Sequence, residues 1–226
     1  MNSNTNKDEK IPKILHFCWF GGNPYTPLME KCMKSWETQL PDWEIKKWDE
    51  SNIPPNIPYL KYALDQKLYA FAADFMRFYA LYEFGGVYLD TDVEIVQNFE
   101  SLRQYDAFAA SENSEELHIN GAVLGGKPQA LFFKALIDYY IQADVITFQT
   151  IPKVITKIYL AQPELLTILP YTSFYPYNPY DPNQLVKQLM YCDIQENTYA
   201  IHHWHKTWKM THWQKFLNSI RKRISK

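Results

Sequence analysis

The sequence predicts an α/β protein in which strands and helices alternate around a layered sheet. Short apolar runs recur along the chain, and most are followed by a stretch of helical periodicity or by a turn. The composition is that of an ordered domain, because 46% of the residues are hydrophobic and 21% are charged. With 226 residues and no internal repeat or low-complexity linker, the chain is long enough for one domain with a full core.

The first half of the chain predicts strand, helix, strand and then a long helical region. Residues 13–20 are mostly apolar and stop at a Gly-Gly-Asn-Pro turn, so they predict a buried first strand. The alternating stretch 43–48 predicts a second strand, and three prolines make 51–58 a loop. Residues 60–84 are apolar nearly all round, which predicts one or two buried helices. A further helix is expected at 27–39, and Pro41-Asp42 ends it.

The second half is dominated by short strands. We expect strands at 87–89, 93–96, 106–111, 119–124, 165–169 and 198–204. Helices are expected at 128–143 and 151–160, and the aromatic, proline-rich stretch 172–179 predicts a rigid loop. Residues 11–212 are therefore expected to form a single domain, large enough to be catalytic.

The two ends of the chain differ from this region. Residues 1–10 are polar and predict a disordered leader, since they lack the apolar segment of a signal peptide. Residues 213–226 contain five basic residues and no acid, so they carry +5 while the chain as a whole carries −2. Their apolar residues recur at helical spacing and predict a basic amphipathic helix. Such a helix either docks on the core or lies on an anionic membrane surface.

Composition also narrows the function. The charge pattern lacks the broad basic face of a nucleic-acid-binding protein. The 17 tyrosines and 7 tryptophans favour carbohydrate binding weakly, because these side chains stack on sugars as well as filling cores. The three cysteines share no metal-ligand spacing, and no run of about 18 apolar residues exists, so we expect a cytoplasmic protein.

The most informative stretch is the Asp-Thr-Asp that follows strand 87–89. Gly85-Gly86 can end the preceding helix, because glycine adopts the left-handed cap conformation without strain. Asp90 and Asp92 then stand one residue apart at the strand end, where their charges repel unless a cation or hydrogen bonds hold them. A divalent ion with oxygen ligands is one solution, and a solvated acidic turn is the other.

Four further features could belong to the same site. Asp74 and Arg77 share one face of a buried helix, either as a structural ion pair or as a clamp on hydroxyl groups. Asn120 lies in an apolar strand pattern and needs a partner, which is either a strand edge or a substrate. Trp19 and Phe20 end the first strand and are either core aromatics or a platform for a nucleotide base.

The late histidines supply the remaining feature. His202 or His203 could complete a metal site with Asp90 and Asp92, and mixed oxygen and nitrogen ligands suit Mn²⁺ better than Mg²⁺. The alternative is an aromatic-rich surface strand.

Taken together, these stretches resemble glycosyltransferase family 32. The likeness rests on Ala72-Ala73-Asp74-Phe75-Met76-Arg77, on the run 81–92 through Gly-Gly-Val-Tyr-Leu-Asp-Thr-Asp, on the opening 11–22, and on Ala200-Ile201-His202-His203 with Thr207-Trp208. The large glucosylating bacterial toxins share the same Asp-x-x-Arg and Asp-x-Asp pattern. The resemblance implies a GT-A fold, a Rossmann-like nucleotide-sugar-binding domain with a mixed central sheet flanked by helices.

The resemblance also implies roles for individual residues. The catalytic set it implies is Asp74, Arg77, Asp90, Asp92 and Asn120. The nucleotide and donor contacts it implies are Trp19, Phe20, Gly21, Asp74, Arg77, Tyr88, Asp90, Thr207 and Trp208. The metal ligands it implies for Mn²⁺ or Mg²⁺ are Asp90, Asp92, His202 and His203. Thr207 replaces the serine of the family pattern and keeps its hydroxyl.

The expected activity is metal-dependent transfer of a sugar from a UDP- or GDP-sugar to a saccharide or lipid-linked acceptor. By the resemblance, the transfer proceeds with retention and serves surface or capsular polysaccharide synthesis, at the cytoplasmic face of a membrane. Two alternatives are a non-catalytic carbohydrate-binding relative and a haloacid-dehalogenase-like phosphotransferase. The latter carries its Asp-x-Asp on the first strand before Gly-Thr, whereas here the motif continues Val93-Glu94.

Overall fold

The computed structural model describes residues 10–142 and 149–205, except Leu185 and Lys187. The predicted leader before Lys10, the predicted tail helix 213–226, Thr207 and Trp208 lie outside the described residues. The helices are α1 (Pro27–Gln39), α2 (Pro58–Asp65), α3 (Tyr69–Phe84), α4 (Leu131–Gln142) and α5 (Ile151–Ala161). The strands are β1 (Ile14–Cys18), β2 (Glu44–Trp48), β3 (Gly86–Leu89), β4 (Val93–Ile95), β5 (Ala107–Ala110), β6 (Val123–Gly126), β7 (Thr167–Leu169) and β8 (Ala200–His202).

Six strands form a mixed central sheet in the order β2-β1-β3-β6-β5-β7. Strand β1 runs parallel to β2 and β3, whereas β6 is antiparallel to both β3 and β5. Alternate residues of β3 belong to two apolar clusters: Tyr88 to one, and Val87 and Leu89 to the other. Helices therefore cover both faces of the sheet, because neighbouring side chains of a strand point to opposite faces.

A second, two-stranded sheet carries the late part of the chain to the acidic motif. Strands β4 and β8 pair antiparallel, with Val93 opposite His202 and Ile95 opposite Ala200. Since β4 begins directly after the Asp-Thr-Asp turn, this pairing places His202, the last residue of β8, beside the two aspartates. The three residue pairs of this sheet bring together segments that lie more than 100 residues apart in the sequence.

The helical predictions are confirmed in their essentials. Helix α1 has the expected bounds, with Thr26 accepting a hydrogen bond from the Met29 amide at its start. The long apolar region divides into α2 and α3, and the division occurs where Lys67 adopts a left-handed φ of 53°. That conformation ends α2 because a non-glycine residue with positive φ cannot continue a right-handed helix.

The strand predicted at 119–124 is wrong in its position. Strand β6 starts at Val123, and Ile119 makes only an isolated bridge to Ser111. Asn120 therefore precedes the strand, because its side-chain oxygen accepts the amide of Ala122 at 2.7 Å. A local side-chain bond of this kind competes with strand pairing, although the Asn120 amide still donates to the Ala110 carbonyl at 3.1 Å.

The Gly85-Gly86 pair performs the predicted role at the end of α3. Gly85 has φ 62° and donates its amide to the Leu81 carbonyl, which closes the helix. Gly86 has φ 104°, and a Cβ on it would lie 2.3 Å from the carbonyl oxygen of Ile14. The close approach lets β3 enter the sheet beside β1, so this glycine fixes where Asp90 emerges.

We expect Gly86→Ala to lower the free energy of unfolding by at least about 2 kcal/mol, from strained backbone and a backbone clash together. Gly22→Ala is the matched control, because Gly22 also has positive φ (64°) but has nothing within 4 Å of an added Cβ. The control should lose only about 1 kcal/mol. Denaturant unfolding of both variants measures the difference, and equal losses would contradict a role for close packing at Gly86.

Candidate active site

The two aspartates occupy a tight turn at the carboxyl end of β3. The Asp90 amide donates to the Ala122 carbonyl at 2.9 Å, and the Asp90 carbonyl accepts the Val93 amide at 3.1 Å. These bonds fix the turn between β3 and β4. The Asp90 side chain is 32% exposed and that of Asp92 only 9%, so solvent reaches the first carboxylate and the second is nearly buried.

Asp90, Asp92 and His202 form a group that fits a divalent metal ion. One ligand atom from each lies within 4.8 Å of the others. The Nε2 atom of His202 is 3.4 Å from Oδ2 of Asp92. Two carboxylate oxygens and an imidazole nitrogen are donors that suit Mn²⁺, so the residues fit the metal that the sequence predicts.

The structure does not bring His203 into this group. Its Nε2 atom lies 2.8 Å from Oε2 of Glu94, and Lys31 contacts the same carboxylate at 3.2 Å. Consecutive residues of a strand point to opposite sides, so His202 and His203 cannot both face the turn. His202 is therefore the histidine of the candidate metal site.

Asp92 is held in the charged form that a metal ligand needs. Burial raises the pKa of Asp92. Contact with His202 and a 2.7 Å hydrogen bond from the His205 amide lower this pKa by more than burial raises it, so the net shift is downward. The backbone of Asp92 is fixed as well, because its carbonyl accepts the His203 amide at 3.0 Å.

Arg77 connects Asp74, on the same helix α3, to the Asp-Thr-Asp turn. Its buried guanidinium donates to Asp74 Oδ1 at 3.0 Å and to the Gly121 carbonyl at 2.6 Å, and it lies 3.3 Å from Asp90 Oδ1. Its Nε donates to the Ala73 carbonyl at 3.3 Å. The sequence left open whether this is a structural pair or a clamp, and the geometry shows an anchor that joins α3, β3 and the segment before β6.

Tyr88 supports the same carboxylate from below. Its hydroxyl donates to Asp90 Oδ1 at 2.9 Å, and its ring lies 4.6 Å from the Arg77 guanidinium. Tyr88 is 1% exposed. It therefore acts on Asp90 within the protein, through a hydrogen bond that fixes the carboxylate.

The charge of Asp74 is only partly compensated by its neighbours. Burial raises its pKa to about 7; Arg77 opposes the shift, and the nearby charge of Asp90 adds to it. Arg77 cannot fully compensate because it shares its charge between two carboxylates. Asp74 therefore binds a proton more tightly in the folded chain than in the unfolded one.

This shift predicts a pH-dependent effect of Asp74→Asn on stability. Ionisation of Asp74 lowers the free energy of unfolding of the wild-type protein as the pH rises from about 4 to about 7. The asparagine variant has no such proton to lose. Its Tm, taken relative to wild type, should therefore increase between pH 5 and pH 8. Thermal unfolding at both pH values measures this, and a constant difference would contradict it.

Asn120 lies near the site, with its side chain engaged inside the protein. Its amide nitrogen donates to Oε2 of Glu112, whose other oxygen lies 2.6 Å from Nδ1 of His118. The segment it begins holds both Arg77, through the Gly121 carbonyl, and Asp90, through the Ala122 carbonyl. Sequence reasoning missed Glu112 and His118, since neither lies in a recognisable pattern.

The three residues expected at the nucleotide separate in the structure. Phe20 is 5% exposed and packs in the main apolar cluster, so it is a core residue and does not support the expected contact. Trp19 is half-buried, with its ring 5.0 Å from Tyr25, at the carboxyl end of β1. Because β1 and β3 are parallel, Trp19 lies at the same sheet edge as Asp90.

Gly21 also lies at this edge, and the structure explains why it is a glycine. Its φ is 85°, and an added Cβ would lie 2.4 Å from the Tyr69 ring. Its amide donates to Oε1 of Glu50 at 2.7 Å. The loop after β1 is therefore shaped by α3 and by the segment after β2.

The region that contains Asp74, Arg77, Asp90 and Asp92 is similar to a known sequence family. Residues 27–109 match the family described as "Glycosyltransferase sugar-binding region containing DXD motif". Inositol phosphoceramide mannosyltransferase 3 of Schizosaccharomyces pombe is 33% identical over 109 residues, which are 46% of this chain and 30% of the relative. Inositol phosphoceramide mannosyltransferase 2 of the same yeast is 28% identical over 135 residues, 56% and 37% of the two chains. The matched part thus spans about a third of each relative.

Solved structures share the fold at low sequence identity. The PaToxG glycosyltransferase aligns with a TM-score of 0.55 and 16% identity, covering 69% of this chain and 70% of its own. The galactosyltransferase LgtC aligns with a TM-score of 0.50 and 14% identity, covering 93% of this chain and 94% of its own. Mouse xyloside xylosyltransferase 1 aligns with a TM-score of 0.50 and 13% identity, covering 86% of this chain and 98% of its own. These alignments and the six-stranded mixed sheet confirm the GT-A fold that the sequence predicts.

Proposed function

We propose that the protein is a metal-dependent glycosyltransferase that uses a UDP- or GDP-sugar. Residues 27–109 match the DXD-containing sugar-binding region of glycosyltransferases, and the fold is GT-A. The observation that carries the proposal is the convergence of Asp90, Asp92 and His202 at the end of β3, directly beside the Asp74–Arg77 pair. A metal site for a diphosphate and a polar site for a sugar then adjoin each other.

Each side chain has a distinct part in the proposed reaction. A bound Mn²⁺ or Mg²⁺ would neutralise the charge that develops on the departing nucleoside diphosphate. Asp90, Asp92 and His202 would hold this ion. Arg77 has five N–H groups, and the four contacts described above leave one for a sugar hydroxyl. Asp74 offers its second oxygen as an acceptor for such a hydroxyl.

We propose that the transfer proceeds with retention, as the resemblance to glycosyltransferase family 32 implies. NMR of the anomeric proton in the first-formed product tests this.

The acceptor is proposed to be a saccharide or a lipid-linked saccharide. The names of the two yeast relatives, which describe mannose transfer to inositol phosphoceramide, favour a mannosyl donor and a lipid-linked acceptor. Such an acceptor agrees with a role in surface polysaccharide or glycolipid synthesis at the cytoplasmic face of a membrane. Among the described residues, none of the helices combines the length and the apolar character needed to cross a bilayer.

The basic tail predicts how the protein would meet a lipid-linked acceptor. Each of its five basic residues adds about 1 kcal/mol of attraction to an anionic surface. We expect the full chain to sediment with anionic liposomes at low salt and to be released at high salt. A version ending at Thr211 should stay in the supernatant. Full-length protein that stays in the supernatant at low salt would contradict membrane contact through the tail.

The proposed activity is tested by incubating the protein with UDP-glucose, UDP-galactose or GDP-mannose and Mn²⁺, without an acceptor. We expect slow release of the nucleoside diphosphate from one donor and none in the presence of a chelator. Turnover that persists in chelator would contradict the metal. Absence of turnover and of donor binding would contradict the enzyme and favour the non-catalytic relative.

A further inference from the structure

The ring of His202 is held in an unusual way for a metal ligand. A ligating histidine usually donates its second ring N–H to a carboxylate or a backbone carbonyl, and this bond sets the orientation of the ring. In His202 the Nε2 atom faces Asp92, while Nδ1 is buried and lacks a hydrogen-bond partner among the described residues. Among the described residues, a hydrogen bond at Nδ1 therefore does not orient the ring, and another contact must do so on that side.

Aromatic contacts supply that constraint. The Trp204 ring lies 4.3 Å from the His202 ring, with an angle of 37° between the planes. Tyr175 approaches the same imidazole at 5.9 Å with its ring near perpendicular. Trp204 is itself fixed, because its Nε1 donates to the Tyr177 carbonyl at 2.7 Å. The imidazole thus has two aromatic neighbours, and the nearer one is anchored.

The backbone of Trp204 is in an unfavourable conformation. Its φ is 56°, in the left-handed region that is uncommon for a bulky side chain and persists only where the surroundings impose it. This turn has two consequences for the site. It folds the tryptophan back over His202, two residues earlier, and it directs the next amide, that of His205, to Oδ2 of Asp92 at 2.7 Å.

We propose that Trp204 is a positioning residue of the metal site, because its left-handed turn and its ring together fix two of the three ligands, His202 and Asp92. The inference rests on the proposed metal-dependent function and goes beyond it. It assigns a role to a residue that need not touch the metal, the donor or the acceptor.

The experiment measures Mn²⁺ affinity by electron paramagnetic resonance, with and without UDP or GDP, alongside the Tm. We expect Trp204→Leu to raise the Kd for Mn²⁺ by at least about 10-fold, the range found when the support of a metal ligand is lost. Trp204→Gly should lose as much affinity, although glycine relieves the backbone strain. Trp204→Phe, which keeps a ring over His202, should retain most of the affinity.

Trp43→Leu is the matched control. Trp43 is a buried tryptophan whose Nε1 lacks a partner among the described residues, whereas Trp204 is half-buried and its Nε1 is hydrogen-bonded. Trp43 precedes β2 at the opposite edge of the sheet, so its replacement perturbs packing away from the metal site. It should lower the Tm and leave the Kd for Mn²⁺ unchanged. Equal Kd values for wild type and Trp204→Leu, or a loss in Trp43→Leu that matches the loss in Trp204→Leu, would overturn the inference alone. A wild-type protein that binds no Mn²⁺ would overturn the proposed metal site with it.

Discussion

Asp92→Asn should abolish Mn²⁺-dependent turnover while leaving the fold intact. The carboxylate of Asp92 is held ionised in the folded chain, and its Oδ2 lies 3.4 Å from Nε2 of His202. Asparagine has the same shape and can still accept the His205 amide, so the turn should persist. It lacks the negative charge that a hard cation prefers, so turnover should fall by at least about 100-fold.

Asp181→Asn is the control for this experiment. Asp181 is also buried and also accepts backbone amides, from Ser114 and Asn183, and these bonds lower its pKa against the opposing effect of burial. The change should lower the Tm but leave the Mn²⁺ dependence of turnover as in wild type. Normal turnover of Asp92→Asn, or a loss of activity that follows the loss of Tm in both variants, would contradict the metal assignment.

Local chemistry explains why much of the fold could be predicted. Thr26-Pro27 begins α1, where the Thr26 side chain accepts the Met29 amide, and the Gly85-Gly86 pair ends α3 through its own backbone conformation. Both signals act within a few residues of the sequence. The start of β6 could not be predicted in the same way. The apolar pattern of 119–124 favours a strand, and the competing hydrogen bond from the Ala122 amide to Oδ1 of Asn120 becomes visible only in the structure.

The candidate site was predictable in its residue types more than in its geometry. The Asp-Thr-Asp turn and a late histidine were expected, and the period of a strand allows only one of His202 and His203 to face the turn. Which one does so depends on the register of β8 against β4, which is a tertiary property. The strained turn at Trp204 has no local signal either, since the contacts that accompany its φ are made with distant residues, from the Trp204 ring to Tyr177 and from the His205 amide to Asp92.

The role of Arg77 was also only partly predictable from the sequence. The sequence indicates that Asp74 and Arg77 share a helix face that could hold a sugar, but the contacts of the Arg77 guanidinium with Gly121 and Asp90 depend on how other elements pack against α3. Arg77→Lys keeps the positive charge and loses the planar fork that reaches several acceptors at once. We expect turnover to fall by roughly 100-fold, the scale of losing one preorganised donor. The Tm should fall as well, because the buried carbonyl of Gly121 loses its partner.

Activity per folded molecule separates the two effects, and Arg103→Lys provides the comparison. Arg103 also pairs with an acid three residues earlier, Glu100 at 2.6 Å, and also donates to a backbone carbonyl, that of Ile11 at 2.6 Å. Its side chain is 15% exposed, yet it lies in the segment after β4, outside the group around Asp90. Arg103→Lys should therefore lower the Tm and keep full specific activity. If Arg77→Lys gave the same pattern, Arg77 would hold the fold together without acting on the donor sugar, and the sugar site would have to be sought away from the Asp74–Arg77 pair.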